Sequence, residues 1–175
     1  DRIFISPTWL ADAIYRVLDY KVQQNDGLFT LSHVETSIQA REVNNQKIPA
    51  IGLRADEILA LMKNFDLIYP LSPELNTRYT EPAFIAPQYL PKTAVHDQRS
   101  LAKLREDILK NAPPTFSLIY PVFMPKNVMP RFIARNGSLS KNPNWRYGIN
   151  FAEQGTEILA ECDFEQRIIH IWIED

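Results

Sequence analysis

The sequence predicts an α+β protein of two lobes: an N-terminal helical, winged-helix-like lobe, and a smaller lobe with an antiparallel β-meander and one packed helix. First, apolar residues recur at helical spacing three times within the first 65 residues. Second, apolar and polar residues alternate with strand periodicity from Trp145 onward. Pro113 and Pro114 separate the two patterns, so the lobes are expected at residues 1–112 and 113–175.

Three helices are expected in the first lobe, after an edge strand at residues 2–5. Ser6 and Pro7 begin the first, because Ser caps a helix N-terminus well and Pro lacks an N–H that the first turn would leave unpaired. Ser32, followed three residues later by a glutamate, forms a capping-box pattern for the second. Acidic residues in the first turn of the third helix, at about residues 55–64, complement the helix dipole.

The remaining expected elements are short strands and two further helices. Runs of strand-forming residues at 66–71 and 83–86 provide the wing, and a charged helix is expected at 97–111. The second lobe begins with a strand at 115–122 and a helix at about 127–136. Three alternating runs then complete the meander: residues 145–151, 156–162 and 167–174.

Composition and charge exclude several classes of protein. The 19 basic and 21 acidic residues are spread over both lobes, so no basic surface for nucleic acid is expected. No run approaches the roughly 18 apolar residues that span a bilayer, and no membrane partner is expected. Cys162 is the only cysteine, which rules out an internal disulfide and favours a reducing, cytoplasmic compartment.

We expect no catalytic, cofactor-binding or metal-binding residue in this chain. Its five glycines are scattered, so neither G-x-x-x-x-G-K-[ST] nor G-x-G-x-x-G is present to bind a nucleotide phosphate. His33, His96 and His170 have no partner at metal-ligand spacing and are expected to be ordinary polar or half-buried residues. Cys162 alternates with apolar residues, which is typical of a small core residue.

A winged-helix-like lobe leaves open the hypothesis that the chain is a nucleic-acid-binding module of a larger regulatory protein. The third helix would then enter the major groove with its N-terminal end. That end carries Arg54 but also Asp56 and Glu57. The two carboxylates would repel the phosphates of DNA. The charge distribution therefore favours a protein contact.

Several short segments, in a fixed order over most of the chain, resemble one known family. They are residues 4–10 (FISPTWL), 59–71 (LALMKNFDLIYPL), 84–91 (FIAPQYLP), 120–125 (YPVFMP), 130–135 (PRFIAR) and 144–149 (NWRYGI). Together they resemble the COR domain, the module that follows the Ras-like Roc GTPase in Roco proteins. By this resemblance the chain ends inside the second of the two COR subdomains.

The resemblance implies a non-catalytic regulatory and dimerisation module. In this family the first subdomain packs on the GTPase and the second mediates dimerisation, which couples nucleotide state to assembly. The implied partners are a Roc-type GTPase in the same polypeptide and a second copy bound through the second lobe. GTP or GDP and Mg²⁺ would belong to that GTPase, so this chain itself would hold no cofactor.

Candidate contact residues come from the resemblance and from side-chain patterns. Ile58 lies on the third helix, which by resemblance approaches the GTPase, and it is the candidate GTPase-facing residue. Arg131 and Arg135 lie one turn apart on a predicted helix and form either a solvated face or a charged face for a partner. Trp9 and Trp145 are expected to anchor the two cores, because a buried indole contributes a large apolar area.

The last predicted strand supplies the candidate self-association surface. Ile168, His170 and Trp172 alternate with isoleucines that face the other way, and one helix can cover only one side of the sheet. We therefore expect this strand to have an unpaired edge or an uncovered apolar face. The face that carries Trp172 is expected to bind a second copy.

Overall fold

The computed structural model describes residues 7–92, 112–140 and 144–174. The strand expected at residues 2–5 and the helix expected at 97–111 lie outside the described residues. The described elements of the first lobe are α1 (Pro7–Val17), α2 (Tyr20–Gln24), β1 (Leu28–Thr30), α3 (Leu31–Ser37), β2 (Arg41–Val43), β3 (Gln46–Ile48), α4 (Ala55–Asn64), β4 (Tyr69–Pro70), α5 (Pro73–Asn76) and β5 (Ala83–Ile85). A 3₁₀ turn, Pro87–Tyr89, follows β5.

The three helices predicted for the first lobe are α1, α3 and α4, and they contact one another. At the start of α4, the Glu57 carboxylate accepts a hydrogen bond from the Arg54 backbone N–H at 2.8 Å, which satisfies a donor that the helix leaves free. Apolar side chains at helical spacing then meet in one core. Its buried members include Ala13, Val17, Val22, Phe29, Val34, Ile58, Met62, Ile68 and Phe84.

Three short strands complete the first lobe as an antiparallel sheet in the order β1-β5-β4. β4 and β5 correspond to the two runs expected for the wing, whereas β1 was not predicted. Phe29 in β1 stacks on Phe84 in β5, with 5.7 Å between ring centroids, and this contact ties the sheet to the helical core. The winged-helix description of this lobe stays a prediction.

A second, separate hairpin pairs β2 with β3 and was not predicted either. Its turn residues Asn44 and Asn45 have φ values of 51° and 62°. This left-handed conformation at both central residues is what a two-residue hairpin turn requires, and Asn tolerates it better than most residues.

The second lobe is one sheet with one helix, as predicted. Its elements are β6 (Phe116–Ile119), α6 (Val128–Asn136), a 3₁₀ turn (Gly137–Leu139), β7 (Gly148–Glu153), β8 (Thr156–Asp163) and β9 (Ile168–Glu174). The strands are antiparallel in the order β6-β9-β8-β7. β9 therefore lies between β6 and β8, and the expectation of an unpaired edge on this strand is wrong. The chain enters the lobe through β6, which takes the edge position beside β9.

The two lobes share a second buried core. Its members from the first lobe are Tyr69, Ile85 and Leu90, and those from the second are Met129, Ile133, Ile149, Phe151 and Ala160. Burial of apolar surface stabilises a fold by roughly 25 cal/mol per Å², so neither lobe could lose its partner without exposing part of its own core. The proposed division near residue 112 thus does not separate two independent cores.

Candidate interaction site at the junction of the two lobes

Asp66 lies just beyond α4 and contacts the second lobe. Its φ of 56° is left-handed, a conformation that few residues other than Gly adopt but that Asp tolerates. The Leu67 N–H donates to the Met62 carbonyl at 3.0 Å and closes the end of the helix. Because the helix dipole disfavours a carboxylate at a helix C-terminus, Asp66 requires compensation from nearby positive charge.

Two arginines of α6 supply this positive charge. Arg131 Nη2 donates to Asp66 Oδ2 at 2.9 Å, and Arg135 Nη2 donates to the same oxygen at 2.7 Å. Arg135 Nε also donates to Asp66 Oδ1 at 2.9 Å, so the carboxylate is held in two directions. Hydrogen bonds from Arg135 and then from Arg131 lower the pKa of Asp66 from 3.8 to about 2.

The sequence left two interpretations of this arginine pair open, a solvated face or a face for a partner. In the structure, both guanidinium groups bind Asp66 within the chain, and 52% of Arg131 and 63% of Arg135 remain exposed. The pair therefore joins the lobes and also presents positive charge to solvent. Such exposed pairs contribute little to stability individually, so the shared core is the stronger connection between the lobes.

A buried chain of hydrogen bonds crosses the same junction. Asn144 Nδ2 donates to the Tyr69 hydroxyl at 3.0 Å, and Ser140 Oγ donates to Asn144 Oδ1 at 2.9 Å. All three residues are buried, and burial raises the pKa of Tyr69 to about 12. The phenol is thus neutral at physiological pH. A different arrangement of the lobes would leave these buried groups unpaired, at a cost of about 1–3 kcal/mol each. The hydrogen bonds therefore favour the observed arrangement of the lobes.

Close packing and backbone contacts complete the junction. At Gly137, an added Cβ would lie 2.6 Å from the ring of Tyr69, closer than carbon atoms approach one another. Arg146 donates from Nε to the Leu90 carbonyl at 3.0 Å and from its backbone N–H to the Pro91 carbonyl at 2.8 Å. The segment after β5 is therefore bound to the second lobe by its main chain.

A groove of about 370 Å³ lies beside α6 on the second lobe. α6 packs on β7, where Ile149 and Phe151 are buried. On the same face of the sheet, Phe116 and Leu118 of β6 are each 45% exposed. The helix therefore leaves the β6 side of the sheet uncovered. The groove has an apolar floor and a basic rim: Leu118, Phe132, Ile169 and Ile171, with Arg131 and Arg135 above them.

Ile58 lies in the first core and none of its side chain is exposed. The same helical spacing that places Ile58 near Met62 turns both side chains away from solvent. The prediction that Ile58 faces a GTPase is therefore wrong in this conformation. The exposed positions of α4 are polar or small, and include Ala60 and Lys63.

The two tryptophans expected to anchor the cores differ in burial. Trp145 is buried, and its indole lies so close to Gly148 that no side chain larger than hydrogen fits there. Trp9 is half-buried and packs against the first core.

The residues expected to mediate self-association lie on the sheet face opposite α6. Ile168, His170 and Trp172 are half-buried there. His170 Nδ1 lies 2.8 Å from the hydroxyl of Ser117 on the neighbouring strand β6. This face is thus more covered than the sequence suggested.

One residue on this face was not singled out from the sequence. Ile119 of β6 pairs with Ile168 and is 68% exposed. Ile119 shares this face with Ser117, so an apolar residue stands where the alternation of the strand predicts a polar one, and this is the sequence signal that could have indicated it.

The N-terminal end of α4 is poorly suited to bind phosphate. The Arg54 guanidinium donates from Nε to Asp56 Oδ1 at 2.9 Å, and this hydrogen bond lowers the pKa of Asp56. Glu57 also lies in the first turn of the helix, so the Arg54 guanidinium has two carboxylates beside it.

Neither a metal-ligand group nor a membrane-spanning helix is found among the described residues, and the cysteine is partly buried. Within residues 7–92, 112–140 and 144–174, no three His, Cys, Asp or Glu side chains are grouped as a metal site. Among the helices of these ranges, none combines the length and the apolar character needed to cross a bilayer. The Cys162 thiol lies 3.5 Å from the sulfur of Met124, and burial raises its pKa to about 11, so the unreactive thiol form dominates at neutral pH.

Fold and junction together define a two-lobed α+β module whose lobes are held by a shared core, a buried hydrogen-bond chain and an arginine–aspartate contact. Residues 1–90, just over half of the chain, match the family described as the C-terminal of Roc, COR-A domain. The chain therefore belongs to the COR-A family, which associates it with the Roc GTPase of Roco proteins. A search of the curated proteins returned no match.

Proposed function

We propose that this chain is a regulatory module that packs on a Ras-like Roc GTPase of the same protein and couples its nucleotide state to assembly. The COR-A match over residues 1–90 is the observation that carries this proposal. The shared core supports it, because a contact made on one lobe can shift the other only if the two are packed together. In this proposal the GTPase holds GTP or GDP and Mg²⁺ in the cytoplasm, and the present chain contributes no catalytic group.

The exposed face of α4 is our candidate GTPase contact on the first lobe, in place of Ile58. Ala60 lies on this face between the buried positions Ile58 and Met62, and a large side chain there would extend into solvent. A substitution at Ala60 would therefore disturb a partner without disturbing the core.

Calorimetric titration with a Roc GTPase domain tests the proposal. We expect the GTPase to bind, with different affinities when it is loaded with GDP and with a non-hydrolysable GTP analogue. Ala60→Arg should weaken binding, whereas Ala40→Arg, at an exposed alanine outside α4, should not. Failure of both nucleotide forms to bind the folded chain would contradict the proposal.

Self-association through the second lobe is the other half of the proposed function. The surface is the sheet face with Ile168, His170 and Trp172, extended by the exposed Ile119. Exposed apolar residues on an edge strand favour association with another sheet.

Sedimentation equilibrium of the chain tests this surface. Ile119→Asp should shift the chain toward the monomer, because it places a charge on the apolar face while changing no buried residue. Trp172→Glu should act in the same direction. Tyr20→Asp, at an exposed aromatic of the first lobe, is the control and should leave the association unchanged. A strict monomer at high concentration would contradict the dimer proposal.

The nucleic-acid hypothesis gains no support from the structure. The two carboxylates beside Arg54 would repel a phosphate that approaches α4 end-on, and the net charge of −2 provides no long-range attraction for nucleic acid. We expect no shift of duplex DNA by the chain in a gel at physiological salt.

A further inference from the structure

The groove beside α6 is a largely apolar cleft on the second lobe. Its floor comes from both α6 and the β6–β9 side of the sheet, so it is a cleft between two elements rather than a depression in one. Shortly after β6 in the chain, Val122 is 83% exposed and Phe123 is exposed as well. Exposed apolar patches are typical of protein contacts in folded chains.

The charge on the groove rim is positive and partly unused. Asp66 accepts hydrogen bonds from Nε and Nη2 of both Arg131 and Arg135, and among the described residues Nη1 of each guanidinium has no hydrogen-bond acceptor. Two arginines share one carboxylate, so these three side chains together carry a net positive charge. Asp66 also holds the two side chains in place, which lowers the entropy cost of binding a further anion.

We propose that this groove binds an amphipathic helix of a protein partner, with apolar side chains that enter the groove and acidic side chains that bind the free Nη1 groups of Arg131 and Arg135. Binding of an amphipathic helix by an apolar groove with charged borders is a common recognition mode, and Arg is enriched in such interfaces. The proposal defines its partner by chemistry and does not require that this partner be the GTPase.

The experiment uses two synthetic helical peptides and fluorescence anisotropy. Both carry leucines at every third or fourth position; one has glutamates beside the leucines and the other has lysines. The glutamate peptide should bind and the lysine peptide should bind more weakly. Arg135→Gln should weaken the glutamate peptide by about fivefold, since an exposed charge pair contributes up to about 1 kcal/mol. Arg54→Gln, at an arginine of the first lobe, should change nothing.

The floor of the groove is tested separately. Leu118→Asp should abolish binding, because it places a carboxylate among apolar side chains and beside the partner's own acidic residues. If this variant fails to fold by circular dichroism, Leu118→Ala replaces it and should weaken binding, since Leu118 is 45% exposed and its truncation disturbs no buried side chain. Equal affinity for the two peptides, or no binding, would overturn the proposal. A dimer that Leu118→Asp converts to a monomer, with no peptide binding, would assign the groove to a second copy and also overturn it.

Discussion

The ring of Tyr69 lies directly against the backbone of Gly137, so that the first lobe touches the second where the latter has no side chain. Gly137 has a φ of −61°, a helical value that any residue adopts, so its backbone conformation does not require glycine. Glycine is required here because a larger residue does not fit: an added Cβ would lie 2.6 Å from the Tyr69 ring. The same phenol then accepts the hydrogen bond from Asn144, so packing and hydrogen bonding meet at one side chain.

Gly137→Ala is expected to destabilise the chain by about 1–3 kcal/mol, the usual cost of overpacking a well-packed site. Urea unfolding measures this change. In a Tyr69→Leu background the same substitution should cost less, because the smaller side chain leaves room for the new methyl group. An equal cost in both backgrounds would show that the ring contact is not the cause.

Tyr69→Phe is expected to destabilise the chain by about 1–3 kcal/mol, because the buried Asn144 amide loses its acceptor. The control is Tyr20→Phe, at an exposed tyrosine, which should change stability by less than about 0.5 kcal/mol. Thermal unfolding of the two variants side by side measures the difference. Indistinguishable midpoints would mean that the hydrogen bond to Tyr69 contributes nothing.

The contact between Asp66 and the arginines predicts a specific acid sensitivity. The pKa of Asp66 is lowered from 3.8 to about 2 by Arg135 and Arg131, so the ionised form is favoured by folding. Its stabilising effect is fully present above pH 3.8 and is lost as the pH falls through about 2. The difference in unfolding free energy between the wild type and Asp66→Asn should therefore be constant above pH 3.8. It should shrink as the pH falls from 3.8 through about 2. In an Arg131→Gln, Arg135→Gln background, Asp66→Asn should show no such trend, because the guanidinium groups that lower the pKa of Asp66 are absent.

A fragment that ends at residue 92 is expected to fold poorly. It would keep the first core but expose Tyr69, Ile85 and Leu90, which the second lobe normally buries. Binding of a hydrophobic dye and weak protection in hydrogen exchange would reveal this state. A fragment with native near-UV circular dichroism and no dye binding would show that the first lobe does not depend on the second.

Much of the fold could be predicted from local patterns. The helices α1 and α4 follow from apolar spacing and from capping residues, and β7, β8 and β9 follow from alternation. β1 was missed because three residues carry too little periodicity to be separated from the turn before α3. The hairpin β2–β3 was missed although Asn44 and Asn45 are a recognised turn signal, because its strands are also only three residues long.

The junction could not be predicted, because its partners are distant in sequence. Asp66 appeared only as the first, polar residue of a predicted strand, while its partners Arg131 and Arg135 lie more than 60 positions later. Ile58 shows the opposite error. Its spacing relative to Met62 already indicated the core, and the expectation that it faces a partner came from family resemblance alone.

The central claim, that the two lobes form one interaction module rather than two domains, is tested most directly by native-state hydrogen exchange of the whole chain. Amides of α4 in the first lobe and of β8 in the second should open with the same free energy, equal to that of global unfolding. α4 packs in the first core and β8 in the shared core, and β5 joins the two, because Phe84 lies in the first core and Ile85 in the shared one. Tyr69→Phe should lower both values together. If β8 opened at a clearly lower free energy than α4, and Tyr69→Phe changed only one of them, the lobes would be independent and the claim would be contradicted.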